Sequence, residues 1–170
     1  MLRDSFLELA DKSARWRPDP EHVLVTMGGS DVNRTTPGIM KKIAGLNPEF
    51  TTTVIVGPGF EHRDEIERVA SELSAPFTVE HDPENLPELM FESDVGISAT
   101  GTTVYELIAT QTPVVGSVES DNQRLLAETL TERELAVIRN GKTWQDAIET
   151  LVTDREYRRK LFNRYNSLID

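Results

Sequence analysis

Apolar residues along this chain fall alternately into short continuous runs and longer stretches that repeat every three to four positions. The short runs "HVLVTM" from His22, "TTTVIV" from Thr51, "PFTVEH" from Pro76, "DVGISA" from Asp94, "PVVG" from Pro113 and "LAVI" from Leu135 are rich in β-branched residues and predict strands. Between them, Ile39, Met40 and Ile43, then Ile66, Val69, Ala70 and Leu73, hold helical spacing. Further helices are expected over "ENLPELMFES", from about Thr102 to Thr110 and from about Asp121 to Leu130. After Gly141, "TWQDAIETLV" and "DREYRRKLFNRYNSLI" read as two amphipathic helices, with Thr143 and Asp154 as their N-caps. Near the start, Phe6, Leu7, Leu9 and Ala10 suit a short helix that Pro18 and Pro20 break, so residues 1–20 are expected as a linker or lead-in helix and 21–170 as the domain.

Strands that alternate with helices in short units imply a mainly parallel sheet with helices on both faces. The expected fold is a doubly wound, Rossmann-like α/β domain of about six strands. Such sheets bind ligands beyond the carboxyl ends of their strands, near a switch in strand order. Three loops at strand ends therefore carry the candidate chemistry.

The first loop, "MGGSDVNRT", pairs Gly28 with Gly29 and follows them with Ser30, Asn33 and Thr35 before a helix. Adjacent glycines let the backbone turn sharply and approach a phosphate, with short polar side chains beside a helix N-terminus. A plain strand-to-helix turn fits the same letters, since neither GxGxxG nor a Walker sequence is present. The second loop supplies Ser98, Thr100, Gly101, Thr102 and Thr103 at the start of a helix whose dipole favours an anion. Glu106 follows about one turn on, where a capping box or a carboxylate for two ribose hydroxyls would stand. In the third, Asp121, Asn122 and Gln123 offer acceptors and amide donors for sugar hydroxyls, or alternatively an Asp cap followed by solvent-facing amides.

Composition narrows the classes. The length of 170 residues suits one domain, and with no cysteine the chain has neither a disulfide framework nor a thiolate metal site. His22, His62 and His81 lack zinc spacing, so no metal is expected, and each is expected to be structural or solvated, His81 without an evident partner. A net charge of −11 argues against a nucleic-acid partner, which needs a concentrated basic face. Only five of the eighteen cations are lysines, a balance that fits an ordinary acidic protein or a salt-adapted surface. No apolar run is long enough for a transmembrane segment, and acids among the first residues are unlike a signal peptide, so a cytoplasmic location is expected.

The words "GGSD", "NLPELMFESDVGISATGTTVYELIATQTPVV" and "DNQ", in this order and spacing, resemble the C-terminal, nucleotide-binding half of GT-B proteins. The likeness covers nearly the whole chain and is strongest to the UDP-sugar hydrolase of pseudaminic acid synthesis and its spore-coat polysaccharide relatives. The undecaprenyl N-acetylglucosaminyltransferase of peptidoglycan synthesis is a more distant match. "LRDSF" resembles the segment that joins the two halves. The resemblance implies that Glu106 binds the uridine ribose, that Gly101, Thr102 and Thr103 line the diphosphate, and that Gly28, Gly29 and Ser30 face the interdomain cleft. It also implies Asp121, Asn122 and Gln123 near the sugar, and the uracil edge by the loop from His81 to Leu86. Thr100 stands where the family usually has a second glycine, which predicts a narrowed phosphate space.

The expected ligand is UDP or a UDP-sugar, with no cofactor, and the helix N-termini at Ser30 and Thr102 are expected to stabilise the leaving diphosphate. These enzymes also have an N-terminal Rossmann half, carrying a catalytic His in the hydrolase, that 170 residues do not contain. An excised fragment or a partner of a separately encoded half is therefore expected, with the catalytic residues unknown. The rival expectation is a noncatalytic binding or assembly module whose cleft face pairs, for instance in a homodimer. A dinucleotide-dependent enzyme fits less well, because no acid ends the second strand "VIVGPG".

Overall fold

A computed structural model describes residue 4 and residues 16–139 and 143–169; the lead-in helix expected over residues 3–14 lies outside these apart from residue 4. In chain order, β1 (His22–Thr26), α1 (Thr36–Gly45), β2 (Thr51–Val56), α2 (Arg63–Glu72), β3 (Phe77–His81), α3 (Leu86–Phe91) and β4 (Val95–Ala99) come first. They are followed by α4 (Thr102–Ala109), β5 (Val114–Ser117), a 3₁₀ turn (Asp121–Gln123), α5 (Arg124–Glu132), β6 (Val137–Ile138), α6 (Trp144–Thr153) and α7 (Arg155–Ile169). The order of strands in the sheet is β3-β2-β1-β4-β5-β6, and every pairing is parallel. The expected α/β architecture is the observed one, with six strands.

Burial explains why the strands read as they do. In β1, β4 and β5 nearly every residue is buried, because helices cover both faces of a central parallel strand and neither face admits polar side chains. β3, at the sheet edge, is only partly covered and accordingly alternates polar and apolar letters. Val23, Leu24, Val54, Ile97, Leu107 and Val114 meet in the core, each burial worth about 1.5–3 kcal/mol against an exposed side chain. α1 packs on α2 and α6, α3 packs on α4, and α7 touches both α4 and α6.

Local signals fix the helix ends. Pro37 and Pro87 occupy the first turns of α1 and α3, where a missing N–H leaves no bond unmade. Thr143 accepts from the amide of Asp146 at 3.2 Å and Asp154 from that of Tyr157 at 3.0 Å, so both expected caps form. Gly96 lets α4 lie close against β4: a Cβ there would come within 2.8 Å of the Leu107 side chain. That approach sets the height at which α4 begins, beside the carboxyl end of β4.

Residues 16–21 are anchored at the opposite end of the sheet. The Asp94 carboxylate accepts from the amides of Glu21 at 2.8 Å and His22 at 3.0 Å and from Arg17 at 3.1 Å. Arg158, fully buried, donates to the carbonyls of Pro18 at 2.5 Å, Leu151 at 2.9 Å, Val152 at 3.2 Å and Arg17 at 3.3 Å. Its guanidinium also lies over the Trp16 ring. Burial pushes the Arg158 pKa down, and the nearby Asp94 charge partly offsets this.

Candidate functional site

The strand order reverses between β1 and β4, so the loops leaving their carboxyl ends diverge and open a crevice. On the β1 side the main chain is held by its neighbour: the Gly29 carbonyl accepts from the Gly59 amide at 2.8 Å. Gly57 has to be glycine for that contact, because a Cβ would lie 2.6 Å from the Gly29 oxygen. Gly28 takes the left-handed conformation, with φ of +82°, that starts the turn.

Asp31 completes this loop from beneath. Its Oδ1 accepts from the Thr35 amide and its Oδ2 from the Thr36 amide, both at 3.0 Å, while His62 Nε2 approaches Oδ2 at 2.8 Å. His62 in turn stacks on Phe60 at 5.1 Å between ring centroids. The expected helix N-terminus at Ser30 is thereby corrected: α1 begins at Thr36, and its leading amides already bind the Asp31 carboxylate rather than facing an open anion seat. His62, buried and paired, is structural as expected; His81, expected without a partner, instead approaches Glu67 Oε1 at 2.6 Å across the exposed edge of the sheet.

On the β4 side the geometry is open. α4 starts at Thr102 with extended Gly101 as N-cap and no side-chain cap, leaving its N-terminal end uncapped by the protein's own side chains. Glu106 is therefore five positions past the cap, beyond the third-position glutamate of a capping box. It is half-buried, one turn along the face that carries Thr102 and Thr103.

Thr100 does not narrow this space as expected. Its side chain is fully buried and turns toward β5, where its Oγ1 is 3.1 Å from where a Cβ on Gly116 would stand. The absent side chain of Gly116 leaves room for the Thr100 hydroxyl.

Between the two loops lies a cavity of about 250 Å³. Gly28, Gly29, Ser30, Gly101, Thr102, Thr103 and Gln123 line it, as do Asn33 and Glu119. Gln123 accepts from the Glu119 amide at 2.9 Å through Oε1 and sets its Nε2 beside Gly101. Four other candidates are placed elsewhere. Ser98 is buried within β4 and donates to the Ala99 carbonyl at 2.7 Å, and Glu106 lies deeper along α4. Asp121 is exposed and bonded to Arg124 at 3.1 Å, while Asn122 is bonded to Ser120.

Glu119 is the residue that sequence reasoning missed. Asn33 Nδ2 reaches across the crevice to its carbonyl at 2.8 Å and to its Oε2 at 3.0 Å, while Oε1 is buried without a hydrogen-bond partner. A second, larger cavity of about 510 Å³ lies beneath α5, where Arg124 and Arg139 are balanced by Glu128 and Glu132. Among the described residues no group of three or more His, Asp or Glu side chains is positioned to hold a metal ion, and no helix is long and apolar enough to cross a membrane.

No family model matches the chain. An uncharacterized protein of Methanocaldococcus jannaschii, MJ1062, is 25% identical over 128 residues, covering 73% of this chain and 26% of its own length. The chain thus spans about a quarter of that curated relative. Among solved structures, MurG of Acinetobacter baumannii superposes with a TM-score of 0.71 at 15% identity over 95% of this chain and 48% of MurG. The C-terminal CMP-Kdo binding domain of WaaA, also from A. baumannii, gives a TM-score of 0.67 at 13% identity, covering 99% of this chain and all of that domain (100%). WaaG, a glycosyltransferase of lipopolysaccharide biosynthesis, gives 0.70 at 14% identity over 100% of this chain and 48% of its own. The six-stranded parallel domain has the fold of GT-B glycosyltransferase C-terminal domains.

Proposed function

We propose that this domain binds a nucleotide sugar, as the C-terminal half of a GT-B glycosyltransferase or UDP-sugar hydrolase. The observation that carries the reading is the cavity at the strand-order switch, where a glycine turn of bare main chain faces the uncapped N-terminus of α4. Such a terminus favours an anion through its dipole by about 0.3–1 kcal/mol, before hydrogen bonds from Thr102 and Thr103 are added. Among structures with this fold, TarM was solved with UDP and the rhamnosyltransferase SpnG with thymidine diphosphate, which supports a diphosphate in the cavity.

In this reading Gly101, Thr102 and Thr103 hold the diphosphate, Gly28, Gly29 and Ser30 close over it, and Glu106 accepts the vicinal ribose hydroxyls. Ser98 backs the loop, the main chain from His81 to Leu86 meets the base, and Gln123 is nearest the sugar, with Asp121 and Asn122 behind it. When the anomeric carbon–oxygen bond breaks, negative charge collects on the departing diphosphate, and the α4 N-terminus stabilises it there. The new bond forms to water or an acceptor hydroxyl, whose proton passes to a base on an N-terminal half. UDP is the expected nucleotide and the pseudaminic-acid or spore-coat polysaccharide group the expected family, with the cytoplasm as compartment.

Calorimetry with UDP tests the proposal. Millimolar or tighter binding that Glu106→Ala abolishes is expected; a chain that shows no binding of UDP at all overturns it. A second reading has an observation in its favour: Val32 and Leu125 are 78% and 75% exposed. Apolar side chains left open in this way suit an assembly module or homodimer, and concentration-dependent dimerisation indifferent to nucleotides would favour that alternative.

A further inference from the structure

Glu119 stands in the wrong place for a site that holds only a diphosphate. It lines the same cavity as Gly101, Thr102 and Thr103, and a carboxylate there repels the anion that an uncapped helix end attracts. Nor is it a loose side chain that swings into solvent. Its amide is held by Gln123, its carbonyl and Oε2 are both held by Asn33, and only Oε1 is left buried and unbonded. A carboxylate oxygen accepts more than one hydrogen bond, so Oε2 keeps a lone pair for a donor in the cavity that Glu119 lines.

From this we infer that Glu119 is a specificity-determining residue that accepts a hydrogen bond from a hydroxyl or protonated amino group on the transferred sugar and rejects sugars bearing a carboxylate. The inference rests on the nucleotide-sugar reading above. Geometry divides the cavity accordingly. The α4 terminus at the end of β4 offers donors to the diphosphate, whereas Glu119, two residues past the end of β5, offers an acceptor. Gln123 lies between them, its Oε1 on the Glu119 amide and its Nε2 beside Gly101, so one side chain ties the acceptor to the anion seat. Asn33 belongs to the opposite wall, and the two hydrogen bonds it donates to Glu119 keep the carboxylate from turning toward the phosphates.

The test is calorimetric titration of the chain, wild type and Glu119→Gln, with UDP, UDP-glucose and UDP-glucuronic acid. Glutamine keeps the size of the side chain and an oxygen for Asn33, so folding is preserved, and thermal melts of both proteins verify it. Wild type is expected to bind UDP-glucose at least five-fold more tightly than UDP-glucuronic acid, and the variant is expected to lose most of that preference. UDP itself is expected to bind the variant as tightly as wild type or more tightly, because a negative charge has been removed. If wild type binds UDP but the glucose-to-glucuronate ratio is the same in both proteins, the role of Glu119 falls and nucleotide binding stands. If wild type binds none of the three, both fall together.

Discussion

His62 Nε2 lies 2.8 Å from Asp31 Oδ2, joining the loop after β2 to the loop after β1 through side chains that are each only 2% exposed. Because the same carboxylate also caps α1 through Thr35 and Thr36, one residue fixes a helix start and the register of two adjacent loops. Asp31→Ala removes the cap and leaves an imidazole N–H buried without an acceptor. A loss of about 2–3 kcal/mol is expected by urea denaturation, with Asp31→Asn losing less because it retains one acceptor oxygen.

Thr100 faces Gly116 and not the cavity, which gives an expectation opposite to the one its position suggests. Thr100→Gly is expected to change UDP affinity by less than about two-fold while destabilising the fold, since it opens a void and frees the backbone. Gly116→Ala places a methyl 3.0 Å from Ile138 Cδ1 and 3.1 Å from Thr100 Oγ1, and is expected to cost about 1–3 kcal/mol. Combining the two changes relieves only the contact with position 100, so a double-mutant cycle should show a favourable coupling.

Arg158 gathers carbonyls from the end of α6 and from residues 17–18 around one guanidinium. Arg158→Ala leaves those oxygens buried and unpaired and is expected to destabilise by about 3 kcal/mol or more. Arg158→Lys is expected to recover less than half, because an ammonium cannot span acceptors that a planar fork reaches together. Protease cleavage near residue 16, faster in both variants, would report the freed segment.

Tyr165 is fully buried, its hydroxyl donates to the Leu135 carbonyl, and burial pushes its pKa far above the ordinary value of 10.0. The folded state therefore keeps the phenol neutral at pH values where the unfolded chain ionises. Stability is full below about pH 10 and falls above it, by up to about 1.4 kcal/mol per pH unit from this group. Denaturation from pH 9 to 11 should show a shallower decline for Tyr165→Phe than for wild type, from a lower starting stability.

Much of this architecture is written locally. The β-branched runs from His22, Thr51 and Asp94 became central strands because a doubly covered strand has no polar face, and Thr143 and Asp154 cap because the bond they make spans one turn. The site was legible to the extent that main chain forms it: the glycines and the Thr-rich helix start converge as expected. Side-chain pairings across the sheet were not legible. Asp31 and His62 are 31 positions apart, and Asn33 and Glu119 are 86 apart, so nothing in either neighbourhood points to the other. One signal did exist for the first pair, since Asp31 and His62 each follow, by a few residues, strands that are adjacent in the sheet. Glu119 sits just ahead of Ser120, Asp121 and Asn122, and its polar neighbourhood reads as solvent-facing turn until the fold turns it inward.

The contact between the Gly29 carbonyl and the Gly59 amide has a consequence for how such a domain changes over time. A turn braced by main chain and by the buried Asp31 carboxylate does not depend on the side chains that hang from its rim. Ser30 and Val32 are exposed and hang there; they are free to be exchanged without loosening the turn that carries them. The lip of the crevice can therefore drift in its side chains while its floor stays the same.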